Sequence, residues 1–404
     1  MPGRKQIETW MRSALALWAE AGQCPATGAF FESLDRNGRP LVAQDRRVRV
    51  QFRQIYVYSH AASLGLDPLG VNRARRGFDY VLAHAWAVDG RPGWAHVLNA
   101  EGEAVDPRRD AYDHAFALFG LAWYYRVSLD PRARGMIDQT LAALEELLQA
   151  PNGGFVESDR GCWPRRQNPH MHAFEAAMAL FEATGEHRFL ARAGEQYALF
   201  STHFYDPSQA LLFEYFDTDW RRLGAQEAQR VEPGHMAEWV WLLRDYQRLT
   251  GKPLDAQADP LFAKLQQVGF EPTGQFLVDA LNAEGRVVSP TRRLWPQTEL
   301  LKAALAQYRA SGRDAHRRLA ERTLHAIFEG YLCKRVPGLW RDKFDERGAL
   351  CAEVAPASTF YHLFNAFAAA GEILYGGRAR DRDRGRATPA LRRAPAPLGA
   401  ALSA

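Results

Sequence analysis

The sequence has few cysteines and no long apolar run, and both absences exclude classes of protein. Its 404 residues include four cysteines, Cys24, Cys162, Cys333 and Cys351, and no two of them have the CxxC spacing. Neither a disulfide framework nor a cysteine-based zinc site is therefore indicated. No apolar run reaches the roughly 18 residues that a transmembrane helix needs. The first residues, MPGRKQIETWMRS, lack the apolar core of a signal peptide, so we expect a cytoplasmic protein with no membrane partner.

The sequence also has little net charge once its last residues are set aside. The formal charge is +4, and the segment 378–404 carries seven Arg and two Asp, a net +5. Residues 1–377 therefore carry −1, which is the total of +4 less the +5 of that segment. A nearly neutral body gives no support for a nucleic-acid partner. The Arg-, Ala- and Pro-rich segment 378–404 is expected to be a disordered tail.

The sequence does contain a unit that is repeated six times. Each copy has an aromatic residue, a few β-prone residues and then an Asp, Asn or Gly turn, which predicts a short β-hairpin. The aromatics are separated by 64, 61, 58, 63 and 64 residues, so the units have nearly equal length. The six aromatics are Phe30, Trp94, Phe155, Phe213, Phe276 and Trp340.

Two helices accompany each hairpin, which gives twelve helices in all. Before the first hairpin, apolar residues such as Ile7, Met11 and Leu15 recur at helical spacing. The second helix of each unit, for example HAFALFGLAWYY, has little polar face, which indicates burial. An open array would need polar capping units at its ends, and neither end unit resembles a cap. The sequence therefore predicts one all-α domain over 1–377, an (α/α)6 barrel (a six-hairpin toroid) with short β-hairpins at one end.

Polar residues lie near the start of each predicted inner helix, 17–23 positions after the hairpin aromatic. Equivalent places in a closed ring converge at one mouth, where six helix N-termini also favour negative charge. Glu175 and Glu238 each follow a histidine by three residues, so each is predicted to orient that histidine. The converging residues, all expected at a substrate site, are Arg53, His114, His172, His235, Gln297, Glu299 and His362.

The residues at this mouth of the barrel are compatible with several kinds of reaction. No HExxH or comparable spacing is present, so no metal is predicted. Glycoside hydrolysis needs two opposed carboxylates, and the candidates are Asp113, Glu238, Glu299 and Asp342. The mouth is richer in histidine, which takes and returns a proton near neutral pH. The favoured hypothesis is proton transfer beside a sugar carbonyl, with Arg53 stabilising the enediolate. A hydrolase and a non-catalytic sugar-binding protein are the alternatives.

A family resemblance is carried by RVRVQFRQIYVYSHA, DAYDHAFALFGLAWYY, NPHMHAFEA, EPGHMAEWVWLL, LWPQTELLKA and PASTFYHLFNA. Over about residues 5–375 the sequence resembles the N-acylglucosamine 2-epimerase family. The resemblance implies an (α/α)6 barrel that epimerises or isomerises unphosphorylated sugars without a metal or other cofactor. It also implies that His235 and His362 are the acid/base pair. The residues that it implies around the sugar are Arg53, Tyr112, Asn168, His172 and Glu238.

Within that family, the WVWLL continuation after His235 and the RQIYVYSHA segment are similar to the aldose–ketose isomerase branch. This similarity implies interconversion of mannose and fructose, for which we hypothesise a cis-enediolate intermediate with His362 acting on carbon and His235 on oxygen. Trp295 and Trp340 are expected to form walls for the sugar, and Arg230 is a candidate for one further sugar contact. A 2-epimerase is the alternative within the family. We expect the chain to be a monomer or a dimer.

Overall fold

The computed structural model describes residues 2–161, 163–224 and 229–376, so the predicted tail 378–404 lies outside the described residues. Within these ranges twelve α-helices alternate between an outer and an inner ring. The inner helices are α2 (Val48–Ser63), α4 (Ala111–Ser128), α6 (Gln167–Thr184), α8 (Pro233–Thr250), α10 (Leu294–Ser311) and α12 (Ala357–Tyr375). The outer helices are α1 (Arg4–Glu20), α3 (Gly70–His84), α5 (Pro131–Leu148), α7 (His187–Leu199), α9 (Asp255–Val268) and α11 (Asp314–Ala326).

The inner helices form a closed ring. Each packs against the next one, and α12 packs against α2. The ends of the described chain meet at this closure, since α1 packs against α12 and the Tyr375 hydroxyl donates to the Pro2 carbonyl at 2.7 Å. Each other outer helix packs against the inner helix that precedes it. The predicted (α/α)6 barrel is confirmed. Among the described residues, no helix has both the length and the apolar composition needed to cross a bilayer.

The two rings differ in burial because their sequences differ in polar face. In α4 every residue from 113 to 122 is buried, as expected for a helix surrounded by other helices. In the outer helix α3, by contrast, Ala74, Phe78 and Val81 form a single buried stripe at helical spacing. The hydrophobic core therefore lies between the two rings.

In the described part of the chain, thirteen short strands lie in the connections that lead into the inner helices. They are β1 (Ser33–Asp35), β2 (Arg46–Arg47), β3 (Val97–Leu98), β4 (Ala104–Asp106), β5 (Arg165–Arg166), β6 (Tyr205–Asp206), β7 (Leu211–Leu212), β8 (Tyr215–Phe216), β9 (Ala280–Leu281), β10 (Val287–Ser289), β11 (Arg292–Arg293), β12 (Lys343–Phe344) and β13 (Val354–Pro356). Two of the six predicted hairpins are present as paired strands, β3–β4 and β9–β10, and those of the first, fourth and sixth units are closed by single bridges, Leu34–Pro40, Phe216–Arg222 and Phe344–Leu350. Other strands pair across units, as β1–β13, β2–β3, β5–β8 and β11–β12, all antiparallel. Strands of two or three residues form few hydrogen bonds alone, so pairing across units ties the units together at this end.

The predicted hairpin aromatics hold each hairpin against the chain that leaves the preceding outer helix. Four of them form isolated β-bridges there: Gln23–Phe30, Trp86–Trp94, Gln149–Phe155 and Leu332–Trp340. In the fifth unit the bridge is Phe270–Leu277, and Leu277 is fully buried whereas Phe276 is only half-buried. The sequence prediction was therefore displaced by one residue in that unit.

Candidate active site

A cavity of about 330 Å³ opens at the mouth of the barrel where the inner helices begin. Its walls come from the first turns of the inner helices and from the strands that precede them. The lining residues are Arg53, Tyr112, Arg166, Asn168, His172, Glu214, Tyr215, Glu232, His235, Glu238, Arg293, Trp295, Asp342, Pro356, Ser358, Thr359 and His362. Nine of the predicted site residues are therefore brought together here.

Two positions of the inner helices supply most of the helical lining: the second and the sixth residue of the helix. They lie four residues apart, so they share one helix face. The second residues in the lining are Tyr112, Asn168, Trp295 and Ser358. The sixth residues in the lining are Arg53, His172, Glu238 and His362.

His235 is held by a carboxylate that comes from a different element. Its Nδ1–H donates to Oε2 of Glu214 at 3.0 Å, and Glu232 lies 3.9 Å from the same nitrogen. Glu214 lies between β7 and β8, and it also accepts from the Gln167 side-chain amide at 3.0 Å. Burial would lower the pKa of His235, but the Glu214 and Glu232 carboxylates outweigh burial and raise this pKa to about 9. The ring is therefore protonated at neutral pH.

His362 is held in the same manner, but its imidazole is neutral whereas that of His235 is protonated. Its Nδ1–H donates to Oε1 of Glu299 at 2.7 Å, and the other oxygen of Glu299 lies 2.8 Å from Nζ of Lys302. Burial, together with the Arg53 and Lys302 cations, brings the pKa of His362 well below its usual value. This imidazole is therefore neutral at neutral pH, and a hydrogen on Nδ1 leaves the lone pair on Nε2.

The indole of Trp295 lies between these two imidazoles. The ring centroids are 5.0 Å apart for His235 and Trp295 and 5.5 Å apart for Trp295 and His362. The close approach of the indole requires glycine at the start of α8, because a Cβ at Gly234 would lie 2.5 Å from the ring of Trp295. The Arg293 guanidinium lies 5.3 Å from the same ring.

A third histidine, His172, lies on α6. As predicted, Glu175 orients it, since Nδ1–H of His172 donates to Oε2 of Glu175 at 3.0 Å. The Tyr361 hydroxyl donates to both oxygens of Glu175, at 2.5 and 2.6 Å. Burial lowers the pKa of His172 to about 4 despite this carboxylate, so His172 is also neutral at neutral pH.

Arg53 is a buried cation that lines the cavity. Its Nη2 donates to the Tyr112 hydroxyl at 2.6 Å and its Nη1 donates to the Ser358 carbonyl at 3.4 Å. Its guanidinium carbon lies 4.0 Å from the centroid of the Phe116 ring. No carboxylate among the described residues forms an ion pair with it, so its charge is available to a developing oxyanion.

Glu238 does not orient His235, and that prediction is wrong, because Glu214 occupies the place beside Nδ1. Both oxygens of Glu238 are buried and have no hydrogen-bond partner among the described residues. Burial and the neighbouring Glu299 and Glu175 carboxylates raise the pKa of Glu238 well above its usual value. Glu238 is therefore a neutral carboxylic acid at the floor of the cavity.

Three predicted residues are absent from the lining because they hold the hairpins. Gln297 bonds the backbone of Leu277 through both its oxygen, at 2.8 Å, and its nitrogen, at 3.0 Å. His114 accepts from the Trp94 amide at 3.2 Å and donates to the Asp110 carbonyl at 2.8 Å. Trp340 is buried and stacks on Trp18 at 5.1 Å. The structure therefore corrects the expected placement of these three side chains.

Three other predicted residues lie close to the cavity without lining it. Asp113 is buried between the Arg49 guanidinium, at 2.9 Å, and His96, at 2.5 Å. The Nε of Arg230 donates to Oε1 of Glu232 at 2.8 Å, which directs it to a lining carboxylate rather than to the cavity. Glu299 lies one layer behind His362. Asp342 does line the cavity, where burial raises its pKa to about 6.

The sequence reasoning missed the lining residues that precede the helices. Arg166 and Arg293 each end an Arg-Arg pair in a strand immediately before an inner helix. Each is ion-paired with an acid, Arg166 with Glu157 at 2.6 Å and Arg293 with Asp279 at 3.1 Å. A weak signal existed, since Arg-Arg immediately precedes an inner helix at 46–47, 165–166 and 292–293, but the same pair also occurs elsewhere, for example at 75–76, 108–109 and 221–222.

Two groups of three side chains at the floor could hold a metal ion by their spacing. They are His172 with Glu175 and Glu238, and Glu238 with Glu299 and His362. In both groups the histidine Nδ1 already bonds a carboxylate, and Lys302 supplies a positive charge against Glu299. These contacts form a hydrogen-bonded network, and the expectation of metal-independent chemistry remains a prediction.

The chain is similar to sugar-converting enzymes over most of its length. Residues 29–366 match the N-acylglucosamine 2-epimerase (GlcNAc 2-epimerase) family. A mannose-6-phosphate isomerase of Rhizobium meliloti (strain 1021) is 36% identical over 372 residues, which cover 89% of this chain and 94% of that protein. A D-mannose isomerase of Thermobifida fusca is 28% identical over 347 residues, which cover 81% of this chain and 84% of that protein. The structure of a cellobiose 2-epimerase from Bacillus thermoamylovorans B4167 matches the fold with a TM-score of 0.82 at 17% identity, covering 91% of this chain and 98% of that one.

Proposed function

Because the chain belongs to the N-acylglucosamine 2-epimerase family, we propose that it is an aldose–ketose isomerase that interconverts unphosphorylated D-mannose and D-fructose. Membership makes it a sugar isomerase or epimerase. The names of two relatives, a mannose-6-phosphate isomerase and a D-mannose isomerase, favour isomerisation of mannose. The observation that carries the proposal is the pair of imidazoles flanking one indole, each held by a carboxylate at Nδ1.

The two imidazoles differ in charge, which supports different roles for them as the acid and the base. Two titratable groups whose pKa values are moved in opposite directions are suited to be the acid and the base of one reaction. His235, with its pKa raised to about 9, carries a proton to give. His362, with its pKa lowered, has a free lone pair on Nε2 to accept one. We therefore assign carbon to His362 and oxygen to His235.

The reaction on the open-chain aldose follows from this assignment. His362 takes the proton from C2, the C–H electron pair forms the C1–C2 double bond, and His235 gives its proton to O1. Arg53 stabilises the negative charge as the cis-enediol forms, because it is buried and has no carboxylate partner among the described residues. The O2 hydroxyl then returns a proton to His235 as the C2 carbonyl forms, and His362 delivers its proton to C1. When the pyranose opens, we assign His235 both transfers: it gives its proton to the ring oxygen as the C1–O5 bond breaks, and it takes the O1–H proton as the C1 carbonyl forms, so that it is protonated again for the next step.

The preference for an unphosphorylated sugar is supported by the charges at the rim. Arg166 and Arg293 are already ion-paired with acids. A phosphate dianion would also meet the carboxylates of Glu232 and Asp342, which line the same cavity. Like charges at close range oppose binding. We therefore expect kcat/KM for mannose 6-phosphate to be at least about 100-fold below that for mannose.

Proton NMR of D-mannose incubated with the purified chain in D2O tests the proposal. We expect fructose as the first product, with partial deuterium at C1, because one base carries the proton between adjacent carbons and exchanges part of it with solvent. Glucose as the first product would instead make the chain a 2-epimerase. Absence of product and of exchange across monosaccharides would favour a hydrolase or a sugar-binding protein.

A further inference from the structure

A fully buried lysine lies beneath the candidate active site. The side chain of Lys302 is 0% exposed, and its Nζ lies 2.8 Å from Oε2 of Glu299, which is equally buried. Two aromatic rings also face its Nζ, Trp241 at 5.6 Å and Tyr361 at 6.0 Å. Burying an ammonium group costs free energy unless the group is paired. Packing alone therefore does not explain why a lysine occupies position 302.

Lys302 is the first member of a chain of contacts that ends at His362. Lys302 contacts one oxygen of Glu299, and the other oxygen accepts the Nδ1–H of His362 at 2.7 Å. Lys302 is not among the residues that line the cavity. Lys302 therefore does not contact the cavity itself, and its contact with the residues behind the lining is with Glu299.

The neighbouring Glu238 shows what burial does to a carboxyl group that no cation contacts directly. Glu238 has no hydrogen-bond or ion-pair partner among the described residues, and its pKa is raised well above its usual value. Burial raises the pKa of both Glu238 and Glu299, and Lys302 opposes that effect at both, but of these two carboxyl groups Lys302 contacts only Glu299, at 2.8 Å. Without Lys302, Glu299 would resemble Glu238 and hold a proton at neutral pH.

The charge of Glu299 decides which nitrogen of His362 carries the hydrogen. An ionised Glu299 can only accept, so Nδ1 must donate and the lone pair remains on Nε2. A protonated Glu299 would donate to Nδ1 instead, which would place the hydrogen on Nε2 and remove the base. We propose that Lys302 is a positioning residue that keeps Glu299 ionised and thereby fixes His362 in the tautomer that accepts the sugar proton. This inference rests on the proposed function, in which Nε2 of His362 is the base.

Other charged or titratable groups face His362 but cannot replace Lys302 in this role. They are Arg53 from α2, His172 and Glu175 from α6, Glu238 from α8 and Glu299 from α10. Arg53 donates to Tyr112 and Ser358, and Glu175 bonds His172 and Tyr361. Within the described part of the chain, the ion pair of Glu299 is with Lys302, apart from its contact with His362 itself.

Lys302→Met, which keeps the length of the side chain and removes the charge, is the direct test. Two-bond proton–nitrogen NMR of protein labelled with 15N-histidine reports the tautomer, and the His362→Asn variant identifies the His362 signals. We expect the Nδ1–H tautomer in the wild type and the Nε2–H tautomer in Lys302→Met. We expect kcat for mannose to fall by about 100-fold or more, since a wrong histidine tautomer is that costly. Gln307→Met on the same helix, where Gln307 bonds Arg244 away from the site, is the control and should keep both tautomer and kcat.

The double variant Glu299→Gln/Lys302→Met separates positioning from folding. A glutamine at 299 cannot change its protonation state, and its amide can either accept from Nδ1–H or donate to Nδ1. The tautomer of His362 then no longer depends on residue 302, so we expect Glu299→Gln and the double variant to have the same tautomer and kcat values within about threefold of each other. The inference is overturned if Lys302→Met keeps the Nδ1–H tautomer with nearly wild-type kcat, or if Lys302→Met lowers kcat as much in the Glu299→Gln background as in the wild type. If Lys302→Met does not fold, the comparison of Glu299→Gln with the double variant decides, since equal kcat supports the inference and a further large loss overturns it. If the wild type fails to convert mannose, only the proposed function is refuted. The role of Lys302 is tested separately, because NMR reports the tautomer of His362 without any turnover.

Discussion

The fourth and the sixth residues of the inner helices are both buried and often polar, yet they serve different purposes. In α6 the fourth residue, His170, donates to the Arg166 carbonyl at 3.0 Å and accepts from the Phe155 amide at 2.9 Å. Two residues later, His172 lines the cavity and bonds Glu175. Two residues correspond to a rotation of about 200° around a helix. The same residue type therefore holds a hairpin on one side and faces the proposed sugar on the other.

The same division recurs around the ring. The fourth residues Gln51, His114 and Gln297 each bond the backbone of a hairpin. The sixth residues of those helices are Arg53, Phe116 and Glu299, which face the cavity or the side chains that line it. The fourth position thus contributes to stability and the sixth to chemistry, and substitutions at the two positions should have separable effects.

The largest effect on activity is expected at a sixth position. His362→Asn removes the proposed base, and we expect kcat for mannose to fall by at least about 1,000-fold, near the upper range for general-base removal. Its midpoint of thermal unfolding should stay close to that of the wild type. His325→Asn on the exposed surface of α11 is the matched control. Substantial turnover by a folded His362→Asn protein would refute the assignment of this histidine.

The sequence predicted the barrel because repeats of nearly equal length and fully apolar inner helices are visible without a structure. It could not separate the fourth from the sixth position. The predicted site positions are numbered from the hairpin aromatic. The distance from that residue to the start of the inner helix varies from 12 residues (Phe155 to Gln167) to 20 residues (Phe213 to Pro233). The register becomes constant only when it is counted from the first helical residue, which the sequence does not mark.

The partner of His235 could not be predicted for a different reason. Glu214 follows β7 and lies 21 residues before the histidine, and it reaches His235 because β8 pairs with β5 of the preceding unit. Helical spacing pointed to Glu238 instead, because i and i+3 residues share a face. A contact that depends on pairing between strands of two residues leaves no periodic signal in the sequence.

A smaller effect, visible mainly in the pH dependence, is expected for Glu214→Gln. His235 must be protonated to act as the acid, so activity is lost as the pH rises through its pKa of about 9. Removing the Glu214 charge lowers this pKa, and the alkaline limb of the kcat profile should move down by about 1–3 pH units. Glu232→Gln is the matched comparison, because Glu232 lies 3.9 Å from Nδ1 rather than 3.0 Å, and its limb should move less. An unchanged alkaline limb in Glu214→Gln would contradict the assignment of His235 as the acid.

The smallest effect on activity, but a clear effect on stability, is expected at a fourth position. Gln51→Met removes the hydrogen bonds that Gln51 forms with the amide and the carbonyl of Phe30, both 2.8 Å long. Leaving two buried backbone groups unpaired should lower the free energy of unfolding by about 2–5 kcal/mol, measured by urea denaturation. Arg53, two residues later, keeps its bonds to Tyr112 and Ser358, so kcat should stay within about threefold of the wild type. A folded Gln51→Met protein that lost activity as severely as His362→Asn would show that the fourth position also belongs to the site.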